Sequence, residues 1–369
     1  LRSAGLADYQ VFVIITMRSD FLGECTVFPG LPEAINAGQF LTPRLTREEI
    51  SAAIEGPAQV FGGEVQADLV ARLLNAMRSG EDQLPVLQHA LMRMWILTLE
   101  REHNCHILDL AEGDSPPVVL TSEAYGQAGG LHRALSRHAD EAFGELDAEG
   151  QRIAHLMFCA LTERLQGQQD IRRPVSLSEV AAIADVEWQQ VAKVAEAFRR
   201  PDRCFLVPPL DQVAELGPDT ELDISHESLI RQWQRLSEWV RDEYEAARKY
   251  RRLEDRAILW QEKKADLLGD IELSQALQWR SSWSPSAAWA KRYGNGFPLA
   301  IEYLERSEQA QERARLEKER EREEEEQRRR AEEREKMEAR YQRQRTRRLL
   351  RGVVATSVLM VVALLGWVA

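Results

Sequence analysis

Residues 305–348 are built almost entirely from Glu, Arg, Gln and Ala, and no other feature limits the fold of this chain so strongly. A run with so few apolar side chains has no face to bury, so it must stand in water. It is also strongly helix-forming. Glu324/Arg328, Glu325/Arg329 and Glu326/Arg330 are spaced i,i+4 with the glutamate first, the stabilising order. An apolar heptad is missing, which argues against a tight two-stranded coiled coil. The expectation is a solvated single helix, coiled-coil-like in composition and roughly 65 Å long at 1.5 Å per residue.

After the charged run comes "GVVATSVLMVVALLGWVA", 352–369, uncharged and apolar throughout. It is close to the roughly 20 residues that a membrane span needs. Arg340, Arg343, Arg345, Arg347, Arg348 and Arg351 precede it, with no acid after Glu338. By the positive-inside rule this places the preceding domains in the cytoplasm. A truncated, single-pass transmembrane helix in the inner (cytoplasmic) membrane is expected. At the other end, "LRSAGLADYQ" carries no signal peptide and leads at once into an apolar run. The chain reads as a piece of a larger protein.

A length of 369 residues and 44% hydrophobic content allow two or three domains with real cores. The net charge of −12 argues against nucleic-acid binding by the whole chain, although a local basic face stays open. Cys25, Cys105, Cys159 and Cys204 are scattered, without a CxxC pair, as in a reducing compartment. His103, Cys105 and His106 in "EHNCH" lack a second ligand pair and read as a polar helix end rather than a metal site.

In "YQVFVIITMRSDF", Val11 to Ile15 reads as a central strand of a parallel sheet. Thr16, Arg18, Ser19 and Asp20 follow at its carboxyl end, where open α/β sheets bind ligands, although a solvated turn fits the spacing equally well. Thr46 and Glu49 form a capping box. Leu69, Leu73 and Leu74, then Leu87, Ala90, Leu91 and Met94, mark a small helical subdomain. Residues 110–130 are rich in Gly, Pro and Ser and read as a linker. Ile153, Leu156, Met157, Ala160 and Leu161 trace a helical face, Ser176 and Glu179 a second capping box, and Val191, Val194, Ala195 and Phe198 a further helix. Two short strands follow, in "RCFLVPPL" and "ELDISH". Three helices and then a ribbon is the order of a winged helix. Lys193, Arg199, Arg200 and Arg203 lie near the helix that would enter a DNA groove, with Glu187 and Glu196 diluting the charge. Trp239, Trp260, Trp279, Trp283 and Trp289 read as core.

In "ELDISHESLIRQW" the helix is expected to open at Ser225, a good N-cap residue. His226 then stands in the first turn, where unpaired N–H groups favour an anion. Position alone leaves a structural histidine, a catalytic group and a phosphate sensor all open.

In this order the pieces resemble the STAND class of P-loop NTPases, specifically the novel STAND NTPase family of large bacterial proteins, over roughly residues 9–303. "FVIITMRSDFLGEC" resembles the family's sensor strand, which implies that Arg18 faces the nucleotide's terminal phosphate, with Thr16 in support. "QLPVLQHAL" resembles the Gly-x-Pro motif of the helical lid. Gln83 replaces the glycine, so Pro85 alone carries over, beside adenine. "ISHESLIRQW" resembles the Met-His-Asp motif of the winged helix, with Ser225, His226 and Glu227 in those places and His226 on the β-phosphate of ADP. The resemblance implies a switch between an ADP-held closed state and an ATP-bound open one. It also implies an effector domain before this module, repeats or a sensor beyond it, and a homo-oligomer when active.

The expected fold is mainly α with minor β. Residues 1–44 are the end of an α/β P-loop ATPase sheet, 45–109 a helical lid, 110–130 a linker and 131–232 a winged-helix domain. Residues 233–304 are a helical domain, 305–351 the charged helix and 352–369 the transmembrane helix. The sequence contains no G-x-x-x-x-G-K-[ST], and no acidic strand that would help to hold Mg²⁺ is evident. ADP or ATP with Mg²⁺ would therefore need a P-loop ahead of this sequence. The parent would be a slow ATPase switch, this stretch alone would be inactive, and no catalytic or metal-binding residue is assigned. A membrane-anchored, winged-helix DNA-binding regulator is the alternative, and a purely structural linker a third. Ser-His-Asp hydrolysis finds no G-x-S-x-G elbow.

Overall fold

The computed structural model describes residues 13–17, 19–77, 83–110, 116–164 and 170–368, without the side chains of 19–21, 24, 83, 359 and 361–368. Residues 13–17 form no strand, and Val13, Ile14 and Ile15 are 73%, 88% and 67% exposed. The described part of the strand expected over Val11–Ile15, residues 13–15, is thus no strand, and residues 11 and 12 lie outside the described residues. No strand among the described residues lies alongside to take up the backbone N–H and C=O groups, and an unpaired strand buries neither face. A 3₁₀ turn over Ser19–Val27 and α1 (Leu31–Gly38) follow.

The first helical body opens with α2 (Arg47–Val60). Its capping box forms as expected: Glu49 N–H donates to Thr46 Oγ1 at 3.2 Å, and Thr46 N–H donates to Glu49 Oε2 at 2.7 Å. Next come β1 (Glu64–Val65), α3 (Ala67–Ala76), α4 (Gln83–Thr98), β2 (Val119–Leu120), α5 (Ser122–Ala128) and α6 (Gly130–Gly144). Ile54, Leu69, Leu73, Leu87 and Met94 form one core with Val118, Leu120, Ala124 and Leu131. The described part of the expected linker 110–130 gives Val118, Leu120, Ala124, Tyr125 and Ala128 to this core. Its β2 pairs in parallel with β1, and Thr121 caps α5 by accepting from Ala124 N–H. Two glycines join α5 to α6: Gly129, which ends α5, and Gly130, which opens α6, take φ of 95° and 70°, which side chains rarely adopt.

The second body contains α7 (Ala148–Ala160), β3 (Thr162–Glu163), β4 (Ile171–Arg172), β5 (Val175–Ser176), α8 (Leu177–Ala184), α9 (Trp188–Arg199), β6 (Leu206–Val207), β7 (Glu221–Ile224) and α10 (Ser228–Gln232). Strands β5, β7 and β6 form an antiparallel sheet in that order. Ser176 caps α8, but the Glu179 carboxylate turns to Arg173 instead of back to the cap, so that capping box is half formed. Helices α11 (Gln234–Gln261), α12 (Asp270–Trp283) and α13 (Ala287–Lys291) extend the same core. Phe158 meets Trp233 edge-on at 5.0 Å, and Tyr250 stacks on Trp279 at 6.2 Å. Of the expected core tryptophans, Trp279 and Trp289 are buried, and Trp239, Trp260 and Trp283 pack half-buried against the same core.

Helix α14 runs unbroken over Phe297–Val368. Ala300, Tyr303, Leu304 and Ser307 are buried against the head, and from Gln311 onward the described residues are exposed. Helical domain, charged run and apolar tail therefore share one backbone element rather than three. Glu326 pairs with Arg330 at 2.5 Å, whereas Arg329 reaches forward to Glu333 at 3.5 Å. The transmembrane helix expected over 352–369 finds no support here: among the described residues no helix is long and apolar enough to cross a membrane.

Candidate functional site

Strand β7 alternates as its sequence dictates, with Leu222 and Ile224 buried and Glu221 outward. It ends where Ser225 N–H donates to Phe205 C=O at 3.0 Å. Helix α10 starts at Ser228, not at the expected Ser225, which is exposed and makes no cap. His226 takes over that role. Its Nδ1 accepts from Ser228 N–H at 3.0 Å and lies 3.0 Å from Ser228 Oγ. An Nδ1 held as acceptor leaves the proton of the neutral ring on Nε2. Because α10 has only five residues, its dipole adds little at this end.

Beside it, Arg172 on β4 donates from Nη1 to Asp223 Oδ2 at 3.0 Å and to Ile224 C=O at 2.9 Å. Its Nε lies 3.3 Å from buried Glu227. Burial pushes the Asp223 carboxyl above its usual range, against the pull of Arg172.

The two bodies meet at a buried trio of rings. His89 on α4, His138 on α6 and Phe205 before β6 lie 5.2–5.3 Å apart, and His138 Nδ1 is 3.3 Å from His89 Nε2. Such a pair shares one proton, one ring donating and the other accepting. Burial, reinforced by Arg93, lowers His89 to about 4 and His138 to about 2. Pro85 lies one turn before His89 on the same face of α4, half-buried in the first turn, where its missing N–H costs no helix bond.

Phe205 therefore links two of the predicted residues. Its ring packs on the helix of Pro85, and its carbonyl holds Ser225, the neighbour of His226. Thr16 is exposed, and no hydrogen bond among the described residues ties it to this joint. Arg18 lies outside the described residues. His138, Phe205 and Arg172 were not anticipated. For His138 a signal existed: it continues the apolar stripe Leu131, Leu135 and Ala142 of α6, where a polar side chain must find a partner.

Another face of α4 opens on an apolar cavity of about 540 Å³, lined by Ile54, Phe61, Leu84, Leu91 and Trp95 among others. The basic residues near α9 turn inward. Arg199 is fully buried and donates to the carbonyls of Pro208, Pro209 and Val213. Arg203 bonds Ala197 C=O and Glu145, and Arg200 bonds Asp202. Three of the four cations offered for DNA are thus engaged within the protein.

These features define a mainly helical, multi-part protein, 71% helix and 5% strand, whose parts meet at a buried polar joint. The family model Novel STAND NTPase 1 matches residues 2–267, a span that includes the whole joint. The chain belongs to the novel STAND NTPase family. No curated protein and no solved structure matches it significantly.

Proposed function

We propose that this chain is the lid, winged-helix and anchor portion of a membrane-tethered signalling NTPase, in which exchange of ADP for ATP moves the winged helix. The observation that carries this is the convergence of Pro85's helix and His226's strand end on Phe205, inside the family match. The α7-β5-α8-α9-β6-β7 order with its β5-β7-β6 sheet supports the winged-helix assignment.

The residues present fit two ends of an adenine nucleotide. Pro85 offers an apolar face to a base, and His226 a ring N–H donor to a phosphate. Arg18 is assigned to the terminal phosphate by resemblance. Among the described residues no His, Cys, Asp or Glu group could hold a metal ion, so Mg²⁺ and the phosphate loop are assigned to a preceding segment. A bound nucleotide would supply the phosphate charge that holds the two bodies together. A ligand can drive this switch only if its contacts differ between the two states. The anchor part of the proposal rests on the apolar run 352–369 and the arginines before it.

The test uses the complete protein, purified without added nucleotide, denatured, and assayed by chromatography for released ADP. Wild type should carry about one ADP per chain, the one-site case of linkage. His226→Asn keeps a side-chain acceptor for Ser228 N–H but removes the ring donor, so it should release far less. Equal ADP from both proteins would remove His226 from the site. No ADP in either would sink the switch.

A further inference from the structure

The geometry points to a second recognition surface on α14: the arginine face from Arg340 to Arg351 docks on anionic lipid headgroups. This builds on the membrane-anchor part of the proposed function and adds the lipid class. Six arginines and no acid occupy residues 340–351. Arg340, Arg343, Arg347 and Arg351 recur at three- and four-residue steps and so share one face of the helix.

Upstream on the same helix every cation from Arg306 to Lys336 has a Glu three or four residues away, and several pair with it, as in Glu326–Arg330, Arg329–Glu333 and Glu332–Lys336. The six differ. No Asp or Glu stands three or four residues from any of them. All are exposed, and among the described residues none forms an ion pair. Like charges at these spacings repel and weaken the helix, so the face gains stability from any extended anion laid along it.

What kind of anion follows from the next residues. Leu349, Leu350, Val353 and Val354 are 64%, 65%, 63% and 56% exposed, continuous with the arginines. A nucleic acid would neutralise the charge and leave these side chains wet. A second copy would bring the same charge. A lipid interface covers both, with acyl chains against the apolar groups and headgroups on snorkelling arginines.

The experiment floats the full chain with vesicles of phosphatidylcholine alone, or with about 30 mol % phosphatidylserine added to reproduce an anionic leaflet. Exposed Arg340, Arg343, Arg347 and Arg351 are replaced together by Gln, which has similar helix propensity. The wild type should favour the anionic vesicles, and the preference should collapse at about 0.5 M salt. Each arginine removed should cost about fivefold in partitioning, several hundredfold for the four, with binding to neutral vesicles unchanged. Equal binding of wild type to both vesicles, or a variant that keeps the anionic preference, would overturn the proposal. So would duplex DNA bound as tightly as the anionic vesicles at equal salt. Failure to bind neutral vesicles would instead sink the tail anchor while leaving the anionic preference readable.

Discussion

Glu243 gathers three side chains on a single oxygen. Its Oε1 accepts from Trp289 Nε1 at 2.9 Å, Arg292 Nη1 at 2.6 Å and Tyr293 OH at 2.8 Å, and it is 4% exposed. Arg292 also donates to the carbonyls of Cys159 and Thr162, tying α11 and α13 to α7. Burial, with the nearby Glu243 charge, pushes the Cys159 thiol and the Tyr293 hydroxyl well up, so neither ionises at neutral pH. Glu243→Gln leaves a buried guanidinium without its counter-charge, and should destabilise the fold by about 3–5 kcal/mol in urea denaturation. A loss below about 1 kcal/mol, the value of an exposed pair, would mean that water reaches this cluster. The histidine pair gives a pH prediction of definite sign. Both folded values lie below the unfolded value near 6.5, so the unfolded chain binds protons that the joint refuses, between about pH 6.5 and 4 at His89 and on down to about pH 2 at His138. Stability is complete above that window and falls with pH, by up to about 1.4 kcal/mol per pH unit for each histidine. His89→Leu with His138→Leu should flatten the slope, and an unchanged slope would place the titration elsewhere. Neither cluster was legible as a cluster, because its partners lie 46 residues apart or more and only His138, on the apolar stripe of α6, carries a local signal. His226 was legible as a residue facing a special turn, but its partner was not. The helix start slipped from Ser225 to Ser228 because a histidine ring, rather than a serine hydroxyl, makes the cap.

At the scale of elements, the turn "YGNGFP" that launches α14 closes around a carboxylate. Glu254 on α11 is buried, accepts from Tyr250 OH at 3.1 Å and also takes the N–H of Gly296. A Cβ on Gly294 would fall 1.9 Å from Glu254 Oε2 and 2.5 Å from its carboxyl carbon. Gly294→Ala must therefore displace the carboxylate from its bonds, and should cost about 2–4 kcal/mol in thermal or urea unfolding. Hydrogen exchange should rise first at Gly296 and in the opening turn of α14. A neutral result would mean that the turn can shift without losing Glu254. Helices were the legible elements: the stripes of α4, α7 and α9 reach the core as their 3.6-residue period demands. Strands of two residues were not, since β1 and β2 carry no period and find each other 55 positions apart. That is why a Gly- and Pro-rich stretch around β2 read as a linker although Val118 and Leu120 are core. Conversely, the apolar run before Arg18 has a strand's composition, and composition cannot supply the neighbour that would make it one.

For the whole molecule the decisive object is α14, whose 72 residues span about 108 Å at 1.5 Å per residue. Among the described residues only its first turns pack, so head and tail are joined by a rod held together by its own backbone and i,i+4 ion pairs. A rod transmits position where a flexible tether would not. If the winged helix swings when nucleotide changes, the distal end of the rod must either move with the head or hold it in place. Glu324→Pro tests whether the rod is continuous and independent. The site is exposed and mid-helix, where proline costs about 3 kcal/mol of local helix and bends what remains. Spin labels at 313 and 345 should report a single distance near 48 Å in wild type, from 32 residues at 1.5 Å each. In the variant that distance should shorten and broaden. The denaturation midpoint of the head should stay within about 0.5 kcal/mol of wild type, since substitutions away from packed features rarely exceed that. A fall in head stability would mean that the charged segment folds back on the head. A wild-type distance already short and broad would mean that charge pairing alone does not hold the rod, leaving the apolar tail and its arginine face tethered to the head rather than levered by it.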